Sequence, residues 1–372
     1  MKIRKVDTFP LLYRLPKPYG DANGMKRFRA SYLIKIEADS GECGWGECVD
    51  SLGTLQITFR ERIIPFLIGK PVADRRKLAQ TVKKIHSRSA SAVSMALAEI
   101  TASYAGVHIT DLWGGRYRDN VPIYASFQSY SEEHDWQKQS VLAVKKAAAS
   151  GFNAFKVKIG GKSFQEDIRH INAIQDALSD HMFLALDANQ SYDLAAASLW
   201  RSIMEKQSGF LWLEEPLQIK YAAEYGMLRQ RLPVPLAGGE NIESFADYIP
   251  LLTQRSVDYI TPDPLHVAGI DEYRETLSMA RAFGIRATPH TYDGALTRLY
   301  ALFAQACLEP FSKMKPETIE PVEWDVMDNP FTQLIPIQPS NSEITLPYGA
   351  GIGLEIDQEL LSYYLWDGSS YE

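Results

Sequence analysis

The chain has 372 residues, 45% hydrophobic and 23% charged, with a formal net charge of -7. That is enough for one large domain with a sizeable core plus a smaller one, and the acidic balance argues against nucleic acid as the main partner. No run approaches the roughly 20 apolar residues of a membrane span, and Cys43, Cys48 and Cys307 show no Cys-x-x-Cys spacing. A reduced cytoplasm is the simplest setting for three such cysteines. Val6-Asp7-Thr8 stands where a signal peptide would place an apolar run.

Residues 2–13 alternate as a strand does, and 15–29, polar and rich in Gly and Pro, reads as a loop. Residues 30–38 and 44–49 make a hairpin about Asp39-Ser40-Gly41-Glu42. Helical periodicity follows over 54–68, 74–87 and 91–107. Strands followed by a run of helices predict an α+β unit over 1–120.

From residue 121 the pattern changes. Strands are predicted at 121–127, 154–159, 183–187, 210–214, 236–240, 259–263, 285–290 and 318–323. Amphipathic helices are predicted between them at 135–150, 164–179, 194–205, 221–230, 244–253, 270–283 and 296–308. This strict alternation of buried strands and helices predicts a (β/α)8 barrel over 121–335. A doubly wound open sheet is the alternative, weakened because no Gly-rich dinucleotide turn follows the first strand. Gly160-Gly161-Lys162-Ser163 looks like the end of a phosphate loop, but Lys156 occupies the place of its first glycine. The segment 336–372, with Gly349, Gly351 and Gly353 and then a short helix at 360–364, is expected to pack back on the N-terminal unit.

The strand Ala154-Phe155-Lys156-Val157-Lys158-Ile159 places Lys156 and Lys158 on one face. Two cations side by side favour losing one charge, and burial adds to this, so one of the two lysines can reach roughly 7–8 and act as a base. Alone, such lysines are more often solvated or paired. The following strands each end in an ionisable group: Asp187, Glu214, Glu240, Asp263, His290 and Glu323, spaced by one strand–helix unit. The C-terminal strand ends of a barrel surround one cavity, so these groups are expected to converge. Asp187, Glu214 and Glu240 form a hard oxygen set suited to Mg2+ or Mn2+ rather than zinc. Singly, each is more often a helix cap or a rim ion pair. Asp263 can hold one nitrogen of His290 and leave the other to move a proton. His266 and the remaining histidines have no such partner.

The set Lys-x-Lys, Asp-x-Asn, Glu-Glu-Pro, Gly-Gly-Glu, Pro-Asp and Pro-His, one per strand, resembles the mandelate racemase branch of the enolase superfamily. The muconate-lactonising and dipeptide-epimerase branches carry a lysine on the sixth strand, where this chain has Asp263. The resemblance implies a modified (β/α)8 TIM barrel with an N-terminal α+β capping domain. It implies one Mg2+ on Asp187, Glu214 and Glu240, and Lys158 and His290 as acid and base on opposite substrate faces. Lys156 and Glu323 would meet the substrate carboxylate, with Glu320 as the rival for the latter role, and Asn189 would line the substrate pocket. The superfamily's pattern is a Lys or His base with Mg2+ stabilising an enediolate. Symmetric homo-oligomers are common among such relatives.

Lid loops at 15–29 and 48–55 are expected to cover the barrel mouth. The first carries Lys17, Tyr19, Asp21, Asn23, Lys26 and Arg27, donors and acceptors that suit a polyol better than a flat aromatic ring. An acid-sugar dehydratase acting on a small-molecule carboxylate is therefore expected. Racemisation or epimerisation of a hydroxy acid is the alternative, since the same residues serve both. A barrel that binds without catalysis would be expected to lack a metal ligand or a base, and none is missing here.

Overall fold

Gly44 and Gly46 decide how the N-terminal domain packs. In a computed structural model that describes residues 1–314 and 319–371, strand Cys43–Cys48 lies directly on helix Ser89–Ala105. A Cβ on Gly44 would fall 2.0 Å from the Ala96 carbonyl oxygen, and one on Gly46 1.8 Å from that of Ala92. Only glycine permits so close an approach. The helix answers with small residues, Ala90, Ala92, Ala96 and Ala98, all buried.

The sheet beneath it is antiparallel. Ile3–Asp21 pairs with Gly24–Ala38, which pairs in turn with Cys43–Cys48. Residues 15–29, expected as an irregular loop, are instead the far arms of this long hairpin. The register shifts between the pairs Arg14–Phe28 and Tyr19–Lys26. Pro16 and Pro18 fall within that shift, where a missing N–H costs no ladder bond. Of the other expected lid, 48–55, the second half is helical, in Leu52–Thr58.

Eight parallel strands form the second domain: Asn120–Ser126, Ala154–Lys158, Phe183–Asp187, Phe210–Glu214, Leu236–Gly238, Tyr259–Ile260, Arg286–Ala287 and Val322–Asp325. Thr318, the expected start of the eighth, lies outside the described residues. The curled sheet runs in strand order, and the first strand pairs with the eighth. Seventh and eighth meet through Glu323 N–H donating to the Pro289 carbonyl at 3.1 Å and Thr288 Oγ1 donating to that of Pro321 at 2.6 Å. Among the described residues, no helix is long and apolar enough to cross a membrane.

Glu47 and the C-terminal segment are two of the joints between the domains. Buried Glu47 reaches from the capping sheet to the helix Ala295–Ala306, accepting from Leu296 N–H at 2.7 Å and Thr297 N–H at 3.1 Å. A carboxylate there satisfies orphan helix donors and meets the positive end of the dipole. The C-terminal segment is the second joint. Glu343–Thr345 pairs with the start of the first barrel strand, Gly351 exchanges backbone bonds with Val107 and Ile109, and Trp366 N–H donates to the Pro10 carbonyl at 2.9 Å.

Glu99, buried in the middle of helix Ser89–Ala105, accepts from Trp45 N–H at 2.7 Å. Burial pushes its carboxyl up to about 8, against the opposing effects of that N–H and of Lys35. A carboxyl raised on folding stabilises fully below its unfolded value of about 4.3 and loses that contribution as pH rises through its folded value. The wild type should therefore lose Tm relative to Glu99→Gln between pH 5 and pH 8.5. Parallel Tm curves for the two proteins would disprove this.

Candidate active site

Each apolar strand ends in a polar group at the same rim. Lys156 and Lys158 close the second strand, Asp187 the third and Glu214 the fourth. Glu240, Asp263 and His290 follow the fifth, sixth and seventh, and Glu323 sits in the eighth. All are buried or nearly so. Asp187, Glu214 and Glu240 each offer an oxygen, all within 4.8 Å of one another. Glu240 Oε2 makes no hydrogen bond among the described residues. This oxygen set fits a hard divalent cation.

The lysines lie against the acids. Lys158 Nζ is 2.5 Å from Asp187 Oδ2. Lys156 Nζ, with no exposed surface, lies 2.8 Å from Glu214, 3.1 Å from Glu323 and 3.5 Å from Asp187. The depressed Lys158 expected from its neighbour is not found. Burial and the Lys156 charge do push it down, but Asp187 at contact distance, with Asp21 and Glu240 adding to it, holds it above the usual lysine range. Coulomb energy rises steeply as separation falls, and Asp187 stands at hydrogen-bond distance. Asp187 responds in kind: burial pushes it up, and Lys158 and Lys156 together hold it below the ordinary range. Glu214 goes up to about 7, through burial and the neighbouring acids, against Lys156.

His290 Nδ1–H donates to Asp263 Oδ2 at 2.7 Å. That bond sets the ring so that Nε2 faces Glu240 Oε2 at 3.3 Å and Glu323 Oε2 at 3.5 Å. Burial disfavours the imidazolium, but Glu323, Glu240 and Asp263 raise it to about 10. Glu323 also accepts from Ser126 Oγ at 2.5 Å and Thr291 N–H at 3.0 Å. Its rival Glu320 precedes the strand and pairs with Arg281 and Arg286 at 2.5 and 2.8 Å. The two acids therefore belong to different ends of the barrel, and Glu323 is the one at the site.

Several contributors stand out only in the folded chain. Glu215, next to Glu214 and fully buried, accepts from Gly239 N–H at 2.9 Å and Gln190 Nε2 at 2.6 Å. Burial and Glu240 push it up to about 8. The doubled Glu-Glu was its visible trace. Glu215, Asn189 and Gln190 have φ of 38°, 43° and 64°, a left-handed backbone that non-glycine residues adopt only when held. Gly239 is needed beside them, since a Cβ there would lie 2.9 Å from the Tyr248 ring. Trp212 Nε1–H donates to Glu214 Oε2 at 2.8 Å and orients it. His266, given no role from sequence, donates from Nδ1 to the Glu240 carbonyl at 2.7 Å.

These groups open onto a cavity of about 380 Å³ lined by Lys158, Asn189, Glu240, Asp263, His266 and His290. Its roof is the hairpin tip, through Asp21, Asn23, Met25 and Lys26. Val49, Asp50 and Ser51 line a neighbouring cavity beside the hairpin instead.

A parallel barrel with acids, lysines and a carboxylate-held imidazole at one rim is the framework of an acid–base enzyme. The chain belongs to the enolase superfamily, in the mandelate racemase/muconate lactonizing enzyme family. Residues 14–114 match the mandelate racemase/muconate lactonizing enzyme N-terminal domain, and 139–360 the enolase C-terminal domain-like family. It is 30% identical to the D-galactarolactone cycloisomerase of Agrobacterium fabrum, over 98% of this chain and 99% of that one. It is 28% identical to the arabinonate dehydratase of Saccharolobus solfataricus, over 97% and 99% respectively. The fold matches the 3,6-anhydro-D-galactonate cycloisomerase of Zobellia galactanivorans with a TM-score of 0.86, at 24% identity over 99% of this chain and 100% of that one. The chain is thus an enolase-superfamily enzyme of the lyase or isomerase kind.

Proposed function

We propose that this enzyme removes the proton α to the carboxylate of an acid sugar and expels a β-hydroxyl from the resulting enediolate, as a dehydratase. The observation that carries the reading is one cavity lined by Lys158, by Glu240 of the carboxylate triad and by Asp263 and His290, with Lys158 against Asp187 and His290 against Glu240. Second and seventh strands stand well apart around the ring, so the two groups address different faces of a molecule between them. Asp187, Glu214 and Glu240 would hold Mg2+, which when bound offsets their repulsion and acts as a Lewis acid toward a carboxylate. Lys156 and Glu323 set the charge beneath that carboxylate. Lys158 and His290 Nε2 move protons at the α-carbon and at the leaving oxygen. Asp263 keeps the imidazole in the productive tautomer.

The likeness to a galactarolactone cycloisomerase supports a second reading. The same proton removal would then expel a β-oxygen tethered through a ring, giving an isomer rather than losing water.

The test is incubation of Mg2+-loaded protein in D2O with acid sugars and their lactones. NMR reads α-deuterium, and a carbonyl assay with mass measurement reads 2-keto acid and loss of water. Keto acid with loss of water is expected. An isomeric keto product would favour the cycloisomerase, and deuterium incorporation with inversion alone would make the enzyme a racemase or epimerase. Mg2+ should raise Tm in the wild type, by the equivalent of about 2.7 kcal/mol at a hundredfold excess over Kd, and not in Asp187→Asn. No reaction together with no Mg2+ stabilisation would overturn the proposal.

A further inference from the structure

The first barrel strand brings no acid, lysine or histidine to the site, yet its register sends a polar side chain there. Ala125 pairs with Phe155 and Ser126 with Lys156, and Phe127 N–H donates to the Lys156 carbonyl at 3.0 Å. Because side chains alternate, Tyr124, Ser126 and Gln128 share the face of Lys156 and Lys158. The bond from Ser126 Oγ to Glu323 places that face inside the barrel. Gln128 stands level with Lys158, whose backbone N–H donates to the adjacent Ser129 Oγ at 2.7 Å. It lines the same cavity as Lys158 and Asn189.

Gln128 is 6% exposed and Asn189 8%. Gln128 Oε1 and Asn189 Oδ1 have no hydrogen-bond partner among the described residues. An unpaired buried polar group costs about 1–3 kcal/mol, and buried amides are seldom left so. A ligand in the cavity can supply what the chain does not. The terminal amide torsion is soft, so either end can turn to meet it. A carboxamide both donates and accepts, as a hydroxyl does. A carboxylate only accepts, and an alkyl group would leave both amides unpaired.

On the acid-sugar reading proposed above, we infer that Gln128, with Asn189 beside it, binds a substrate hydroxyl on the Lys158 side and so selects hydroxylated over deoxy acids. Gln128 is a specificity residue, distinct from the groups that move protons.

The test compares the wild type with Gln128→Leu and Gln128→Met, similar in volume but without hydrogen-bonding ends. Each is assayed by α-deuterium exchange on a polyhydroxy acid and on a series of analogues each lacking one hydroxyl. For the parent acid both variants should lose at least about fivefold in kcat/KM, chiefly through KM. One deoxy analogue should be handled equally by variants and wild type, because the hydroxyl that Gln128 reads is already gone. Mg2+-dependent thermal stabilisation should persist, showing the fold and triad intact. Unchanged discrimination between parent and every deoxy analogue in both variants would overturn the assignment. A wild type that binds Mg2+ but exchanges no α-proton in any hydroxylated acid would overturn the proposed reaction, and this inference with it.

Discussion

Lys158→Met and His290→Asn should each lower keto-acid formation by about 10²–10⁴-fold, the contribution of one positioned proton-transfer group. The two variants should differ in what they retain. If elimination needs a base on one face and an acid on the other, the variant that loses only the acid still exchanges the α-proton with D2O. The variant that loses the base exchanges nothing. Methionine is chosen at 158 because Lys158 fills a buried position against Asp187, where alanine would open a cavity. Asp187 keeps Lys156 at 3.5 Å in that variant, so the triad retains a cationic neighbour. Mg2+-dependent stabilisation should survive in both proteins and serves as the control for the site. Keto-acid formation within about tenfold of wild type in both would remove these residues from the reaction.

Arg29→Met should destabilise the folded chain by about 3–5 kcal/mol, the usual result of removing one partner from a buried ion pair. Arg29 is 3% exposed. Its Nη2 donates to Asp325 Oδ2 at 2.8 Å, Nη1 to Asp293 Oδ1 at 3.1 Å and Nε to the Tyr19 hydroxyl at 2.7 Å. The guanidinium also lies 4.2 Å from the centre of the Tyr292 ring. One side chain thus ties both arms of the hairpin to the loop after the seventh strand and to the end of the eighth, next to His290. Burial already pushes Asp325 up, with Arg29 and Arg298 opposing it. Without Arg29 it rises further. A carboxyl raised in the folded state stabilises at low pH and loses that contribution as pH rises, so the defect should be larger at pH 8 than at pH 5. Arg29→Lys should fall between wild type and Met, because an ammonium cannot span all three partners. Denaturant unfolding at both pH values measures this, and a loss below about 1 kcal/mol would show that the clasp carries little. KM should also rise, since the hairpin tip roofs the cavity.

Much of the barrel was legible because its signals are local. Alternation within 121–127 and 154–159 and helical spacing within 270–283 describe segments that fold much as written, the last as Ile270–Ala282. The hairpin arms over 15–29 were not legible. Their Gly and Pro content signals a loop, and only pairing across the hairpin supplies the partners that make strands of them. Gln128, a neutral amide, does not stand out among ionisable groups, although period-two alternation from Tyr124 places it on the interior face. Glu215 was hidden beside Glu214. A strand end followed by a left-handed residue at φ 38° keeps both acids buried, where simple alternation would turn one away.

The sequence by itself determined which polar groups gather at the rim. One such group per strand–helix unit, each at the end of an apolar run, is a pattern that any closure of the sheet must bring to one end. Tertiary structure alone decided how those groups act on one another. Glu320 and Glu323 are three positions apart in sequence. The start of the eighth strand after Glu320 sends one to arginines at the far end and the other to Lys156 and His290. The charge state of Lys158 was likewise beyond the sequence, because it depends on distances. The adjacent cation was visible along the strand. The carboxylate that overrides it comes from the neighbouring strand, and Coulomb energy follows separation in space rather than in sequence.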